Sequence, residues 1–198
     1  MQTDPRVFEA AEDLLKEIRS HTEAFVVESS LDAAVRIAPA ASLMRSAQLL
    51  DESLACAPAG ATEATCLLLR SLVETTLYGH YLLAEGLEAL QRMGAQQADQ
   101  IRRIGKRLGT SNEKIAAAVE GLLDLPGPHN LLTIADRVDG AAGVPAGTKG
   151  IARQGYDTHY GPLSNLVAHG GPGAINGYVS DDGKHLSLEV HAGPLLGA

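Results

Sequence analysis

Two groups of residues in this chain have the types and spacing to do chemistry. The first is the pair Arg70 and Glu74, inside the stretch T-C-L-L-L-R-S-L-V-E-T-T-L-Y-G-H-Y-L-L, Thr65–Leu83. Four residues apart on a helix, a guanidinium and a carboxylate come within ion-pair reach. The surrounding leucines and valine point nearly all the way round that helix, with Leu77 and Tyr81 continuing the stripe of the pair. Such a pattern is buried only when other helices enclose it. An unpaired charge there would cost several kcal/mol, so both groups need partners. The spacing fits two readings. One is a buried ion pair that fixes helix register, and the other is a preorganised charged pair lining a cavity.

The second group is Y-D-T-H-Y-G-P-L-S-N-L-V-A-H-G-G, residues 156–171. Tyr160 and Ser164 are one turn apart, and so are Asn165 and His169. Pro162 cannot donate to the carbonyl four residues back, so a kink or a new helix start is expected at Gly161-Pro162. Hydroxyls and imidazole commonly satisfy carbonyls freed in this way, which accounts for part of the polar density. Each of the two groups carries polar atoms that need partners. Their mutual satisfaction predicts one polar cluster inside the bundle, formed by Arg70, Glu74, Tyr160, Ser164 and His169. A cationic imidazole at position 169 would also suit the carbonyl end of a last helix. Ser164 and His169 diverge too far in direction to act as nucleophile and base, and no serine sits in a strand–turn–helix elbow. The seven histidines show no H-x-x-x-H or H-E-x-x-H spacing, so neither a metal nor another cofactor is expected.

These residues must be positioned by helices. Thr3-Asp4-Pro5 opens a first helix expected to run to about Glu28, with Val7, Ala11, Leu14, Ile18 and Phe25 on its inner face. A weaker stretch ends at Pro39. Leu43, Ala47, Leu50 and Leu54 then mark a second helix, antiparallel to the Arg70 helix across the short Pro58–Gly60 loop. After Gly86 comes a surface helix whose far half carries the densest basic cluster, Arg102, Arg103, Lys106 and Arg107. A solvated face is the ordinary reading of such a run, and a phosphate or acidic-partner footprint the sharper one. Thr110-Ser-Asn-Glu113 has the form of a capping box for a fifth helix with Ile115, Val119 and Leu122. Leu131–Val138 follows as a short helix, and Asp139–Gly147 reads as a flexible loop that covers a site. The tail changes period: Leu186, Leu188 and Val190 alternate with polar residues after Asp182-Gly183, as in a β-hairpin. The fold class is therefore an all-α helical bundle with a short C-terminal β-hairpin, one domain over residues 1–198 with 174–191 as an appendage.

R-S-L-V-E (Arg70–Glu74) in a mid-chain helix, followed late by Y-G-P-L-S-N-L-V-A-H (Tyr160–His169), resembles a widespread group of bacterial all-helical proteins with R-S-x-x-E and Y-x-x-L-S-x-x-x-H segments. The resemblance spans roughly residues 40–180. That group is similar to HEPN domains, helical bundles that often dimerise and many of which cleave RNA through an R-x(4–6)-H motif. The resemblance implies a HEPN-like bundle, a homodimer and an RNA or nucleotide partner. The string R-Q-G-Y-D-T-H supplies the corresponding pair. In a metal-independent ribonuclease, Arg153 would stabilise charge developing on the phosphate and His159 would act on the ribose 2′-OH as general base.

Composition sets the outer bounds. The 198 residues carry 16 Lys+Arg against 24 Asp+Glu, a net charge of −8, so general attraction to phosphate backbones is excluded and RNA would need a local basic patch. Cys56 and Cys66 have neither metal-ligand nor redox spacing and read as buried thiols of a reducing compartment. No apolar run reaches the ~20 residues of a membrane span. A cytoplasmic protein without membrane contact is the expectation. Two functions compete: a HEPN-like module that binds or cleaves RNA or binds nucleotides, and a non-catalytic module that binds a small ligand or partner protein around the Arg/Glu/His cluster.

Overall fold

Helices dominate the chain, and its two longest are neighbours in sequence. A computed structural model describes residues 5–21, 26–59, 61–108, 127, 129–166, 179–181 and 185–188. In order these form α1 (Pro5–His21), β1 (Val26–Glu28), α2 (Leu31–Cys56), α3 (Thr62–Glu85), α4 (Leu87–Leu108), α5 (Leu131–Ala141), α6 (Ile151–Gly155), a π-helical turn (Tyr156–Tyr160), α7 (Gly161–Leu166), β2 (Val179–Asp181) and β3 (His185–Leu188). Among the described residues no helix is long and apolar enough to cross a membrane.

Several boundaries differ from the sequence expectation for identifiable reasons. The first helix stops at His21, and Val26–Glu28 is a strand; the β-branched pair Val26-Val27 suits a pleated neighbour better than a helix. In α1 the inward stripe is Phe8, Ala11, Leu15 and Ile18, whereas Val7 and Leu14 are exposed. The period was legible but its phase was not, because two apolar stripes lie one residue apart. Helix α2 does not break at Pro39. It starts at Leu31, where the Ser30 hydroxyl accepts the Ala33 amide at 3.0 Å, and runs straight through the proline. A proline in a helix interior costs up to ~3 kcal/mol, and burial of Ala33, Ile37, Ala41, Met44 and Leu49 on either side offsets it.

Helices α2 and α3 pack antiparallel at close range. A Cβ on Gly79 would stand 3.0 Å from the Ser42 Cβ, and Ser46 Oγ lies 3.2 Å from Thr76 Oγ1. One glycine, Gly86 at φ 53°, separates α3 from α4, its amide donating to the Leu82 carbonyl at 2.9 Å. The core joins α2, α3, α4 and α5 through Ala41, Met44, Leu77, Tyr81, Met93 and Ile134.

Asp139 belongs to α5, not to the following loop, and it is buried. Its carboxylate accepts the amides of Ala152 at 3.0 Å and Arg153 at 2.9 Å. It thereby caps α6, whose own N-cap residue, Gly150, has no side chain to do so. The loop between them is pinned by Val144 N–H to the Asp139 carbonyl and Thr148 N–H to the Pro145 carbonyl.

At the expected kink, the chain adopts a π-helical turn. The Gly161 amide bonds to the Tyr156 carbonyl, five residues back. This widened turn absorbs the donor missing at Pro162, and α7 continues beyond it. Strand β3 lies in the middle of a three-stranded antiparallel sheet, pairing Val26↔Ser187 on one side and Ser180↔Ser187 on the other. A lone hairpin is marginal in water, so the tail strands are expected to lie on the helices or pair with another chain; β3 pairs with β1 of the same chain. The Asp182-Gly183 step, the rest of segment 174–191, and the helix expected over Ile115–Leu122 lie outside the described residues.

Candidate functional site

Arg70 is the largest fully buried side chain of the described residues, at 2% exposure. It projects from the middle of α3 toward the π-turn. There its Nη2 donates to the Tyr160 hydroxyl at 2.9 Å, and its guanidinium carbon stands 5.0 Å from the Tyr160 ring centre. Tyr160 in turn stacks on Tyr156, with ring centres 5.3 Å apart and planes 27° from parallel. A single side chain therefore accepts a hydrogen bond from the guanidinium and offers it a π face. The π-turn places Tyr160 there, consistent with the way such turns accompany functional positions.

Glu74, one turn further along α3, approaches Arg70 only to 3.9 Å, beyond hydrogen-bond range. The carboxyl is 13% exposed. Desolvation by burial outweighs the attraction of Arg70 and pushes its pKa from 4.5 up to about 7. Arg70 and Glu74 thus lie within ion-pair distance and are mostly buried, as the spacing predicts, but burial disfavours the charged carboxylate. Each residue of the pair leaves one buried polar atom without a hydrogen-bond partner among the described residues, Arg70 Nε and Glu74 Oε2. Tyr78, a further turn along the same face, has its phenol pushed up to about 12, by burial first and then by the neighbouring Glu74 charge. Its hydroxyl is held loosely by Gln96, at 3.5 Å.

Of the five residues predicted to form one cluster, the structure brings together Arg70, Glu74 and Tyr160. Ser164 is exposed on α7 and does not join them. His169 lies outside the described residues.

The second predicted pair is built differently. Arg153 Nη1 meets Asp136 at 2.7 Å and Nε meets both oxygens of Asp157 at 3.3 Å. Lys149 also reaches Asp157, at 2.6 Å. These hydrogen bonds to Asp136 and Asp157 hold the guanidinium firmly protonated, and they leave little of its charge for a phosphate. His159 is exposed on the π-turn. On α4, Arg102 and Arg103 converge on one carboxylate, Asp99, at 2.6 and 2.7 Å. Cys56 and Cys66 are half-buried and unbonded. Among the described residues no three His, Cys, Asp or Glu side chains are placed to hold a metal.

One polar cluster escaped the sequence reading altogether. Tyr81 is 1% exposed, and its ring meets His129 edge-on, with centres 6.1 Å apart. The Tyr81 hydroxyl and His129 Nε2 are both buried without partners among the described residues. Burial, aided by Arg137 and Arg92, lowers the His129 pKa and favours neutral imidazole. Arg137 closes this side with two bonds to Glu85 at 2.6 and 2.7 Å. The partners are 48 and 52 residues apart along the chain, and no local spacing signals such pairs. Compared with family models, curated proteins and solved structures, the chain matches none.

Proposed function

We propose that this chain is a non-catalytic helical module that binds a small polar ligand at the Arg70–Glu74–Tyr160 cluster. The observation that carries this reading is the orphaned pair of polar atoms, Arg70 Nε and Glu74 Oε2, on adjacent turns of one helix. Each buried, unsatisfied group costs about 1–3 kcal/mol. A ligand presenting an acceptor to Nε and a donor or proton to the carboxyl relieves both. The Arg70–Tyr160 bond joins the R-S-L-V-E and Y-G-P-L-S segments, which supports grouping the bundle with HEPN-like helical domains. The β2–β3 pair as a closed hairpin and a homodimer belong to the same proposal.

RNA cleavage is the weaker reading, because the arginines it would use are already engaged by carboxylates. Arg153 is held by Asp136 and Asp157, and Arg102 and Arg103 share Asp99.

The test is a nuclear magnetic resonance titration that follows the Arg70 Nε–H signal against a panel of nucleoside monophosphates and small dicarboxylates. At least one probe should give a saturable shift. That shift should vanish in Arg70→Lys, which retains the charge and loses the Nε donor. If no probe moves the signal, the reading fails. If wild type cleaves single-stranded RNA and His159→Ala does not, the ribonuclease reading replaces it.

A further inference from the structure

The face of α3 opposite Arg70 carries a separate opening. Between α2 and α3 runs a groove enclosing about 340 Å3, close to the lower end of the ~300–1,000 Å3 typical of small-ligand sites. Small residues create it. Gly79 and Ser42 let the two helices approach at the floor, so that larger neighbours stand up as walls. Those walls include Pro39, Leu43 and Leu83, and the two leucines are 43% and 69% exposed. From Arg36 at one end to Ser46 and Thr76 at the other, the helical rise gives a length of about 15 Å.

Three of the lining hydroxyls are already occupied. Ser42 Oγ donates to the Ala38 carbonyl, and Ser46 and Thr76 bond to each other. The floor therefore presents methyl and methylene groups. The polar character of the groove is concentrated in two side chains, Arg36 and His80. Arg36 is exposed and, among the described residues, is met only by Asp32 at 3.6 Å, itself 85% exposed. His80 is exposed and has no hydrogen-bond partner among the described residues. No lining residue is acidic, although the chain carries a net charge of −8.

We infer that this groove is a second binding site, independent of the Arg70 cluster, for a small carboxylic acid with an unbranched apolar body. The carboxylate is taken by Arg36 at the end of the groove, and the body lies along Leu83 and Leu43. A bidentate guanidinium contact supplies the head-group preference, and burial of exposed leucine surface supplies the affinity. An acid of this shape fits the groove length, the single cation at one end and the apolar floor together.

The experiment titrates octanoate, octanamide and acetate into the full chain and follows backbone amide resonances. Octanoate should shift Thr75, Thr76 and Gly79 saturably. Octanamide lacks the charge and acetate lacks the body, and each should bind at least about tenfold more weakly, the loss of one charge-assisted contact. Arg36→Gln, at an exposed position, should weaken octanoate by a similar factor with an unchanged melting midpoint. Equal binding of octanoate and octanamide would overturn the inference, as would unchanged affinity in Arg36→Gln, non-saturating shifts, or shifts confined to Arg70 and Tyr160. Movement of the same groove resonances on raising protein concentration without ligand would also overturn it, since a second copy of the chain would then be the occupant.

Discussion

Replacing Glu74 with Gln should stabilise the protein, and by an amount that depends on pH. The side chain keeps its shape and loses its ability to ionise. In the wild type the folded carboxyl titrates at about 7 against 4.5 ordinarily, so the folded state holds this proton more tightly than the unfolded chain. The stability from that protonation is fully present below about 4.5 and is lost as pH rises through about 7. Integrated over the window, the loss is roughly 3 kcal/mol. The carboxyl is only 13% exposed, so screening removes little of it. Gln cannot titrate. The two proteins should match at about pH 4, and the variant should be more stable by up to ~3 kcal/mol at about pH 8. Urea unfolding reads the difference directly, because at a slope of ~1–3 kcal/mol per molar the midpoints should separate by about 1 M or more. Comparing the variant with wild type at each pH cancels every other titrating group. A gap that stays constant across the range, or a variant weaker than wild type at about pH 8, would refute the reasoning and restore Glu74 as a stabilising ion-pair partner.

Tyr160→Phe should lower stability by ~1.5–3 kcal/mol, because the hydroxyl accepts from the Arg70 guanidinium; Tyr81→Phe should instead raise it, by up to ~1–3 kcal/mol, because it removes a buried hydroxyl with no partner among the described residues. Thermal unfolding of the two variants side by side checks the contrast. Asp139→Asn replaces one of the two accepting oxygens with an NH2 donor that faces a backbone N–H, and it should cost about 1–3 kcal/mol. Hydrogen exchange should then quicken at Ala152 and Arg153 before it quickens in α3. Gly79→Ala pushes a methyl to 3.0 Å from the Ser42 Cβ; crowding of ~1–3 kcal/mol against a helix-propensity gain of ~1 kcal/mol should leave a net loss of up to ~2 kcal/mol, seen as a lower urea midpoint with an unchanged slope.

What the sequence disclosed and what it hid divide along the range of the interactions. The Arg70–Glu74 spacing was readable because four residues on one helix fix a geometry without reference to the rest of the chain. The sign of its energetics was not. That depends on how much water the packed π-turn and α4 exclude, and with desolvation dominant the carboxyl of the expected ion pair titrates at about 7. Pro39 and Val26 erred for a related reason. Each was read from local propensity, and each was overruled by a partner distant in sequence: the α3 face packed on α2 in one case, the strand His185–Leu188 in the other. Asp139 shows the limit most clearly. In sequence it opens a glycine-rich run that looks like loop, yet in the fold it caps a helix whose own N-cap is a bare glycine. The absent cap at Gly150 and the buried carboxylate at Asp139 answer each other, and neither is interpretable alone. The same reasoning applies to the orphaned atoms of Arg70 and Glu74. Arg70 Nε and Glu74 Oε2 are unsatisfied one turn apart on a single helix face, and that adjacency, which one ligand can answer with an acceptor and a donor, supports a partner that is not part of the described chain.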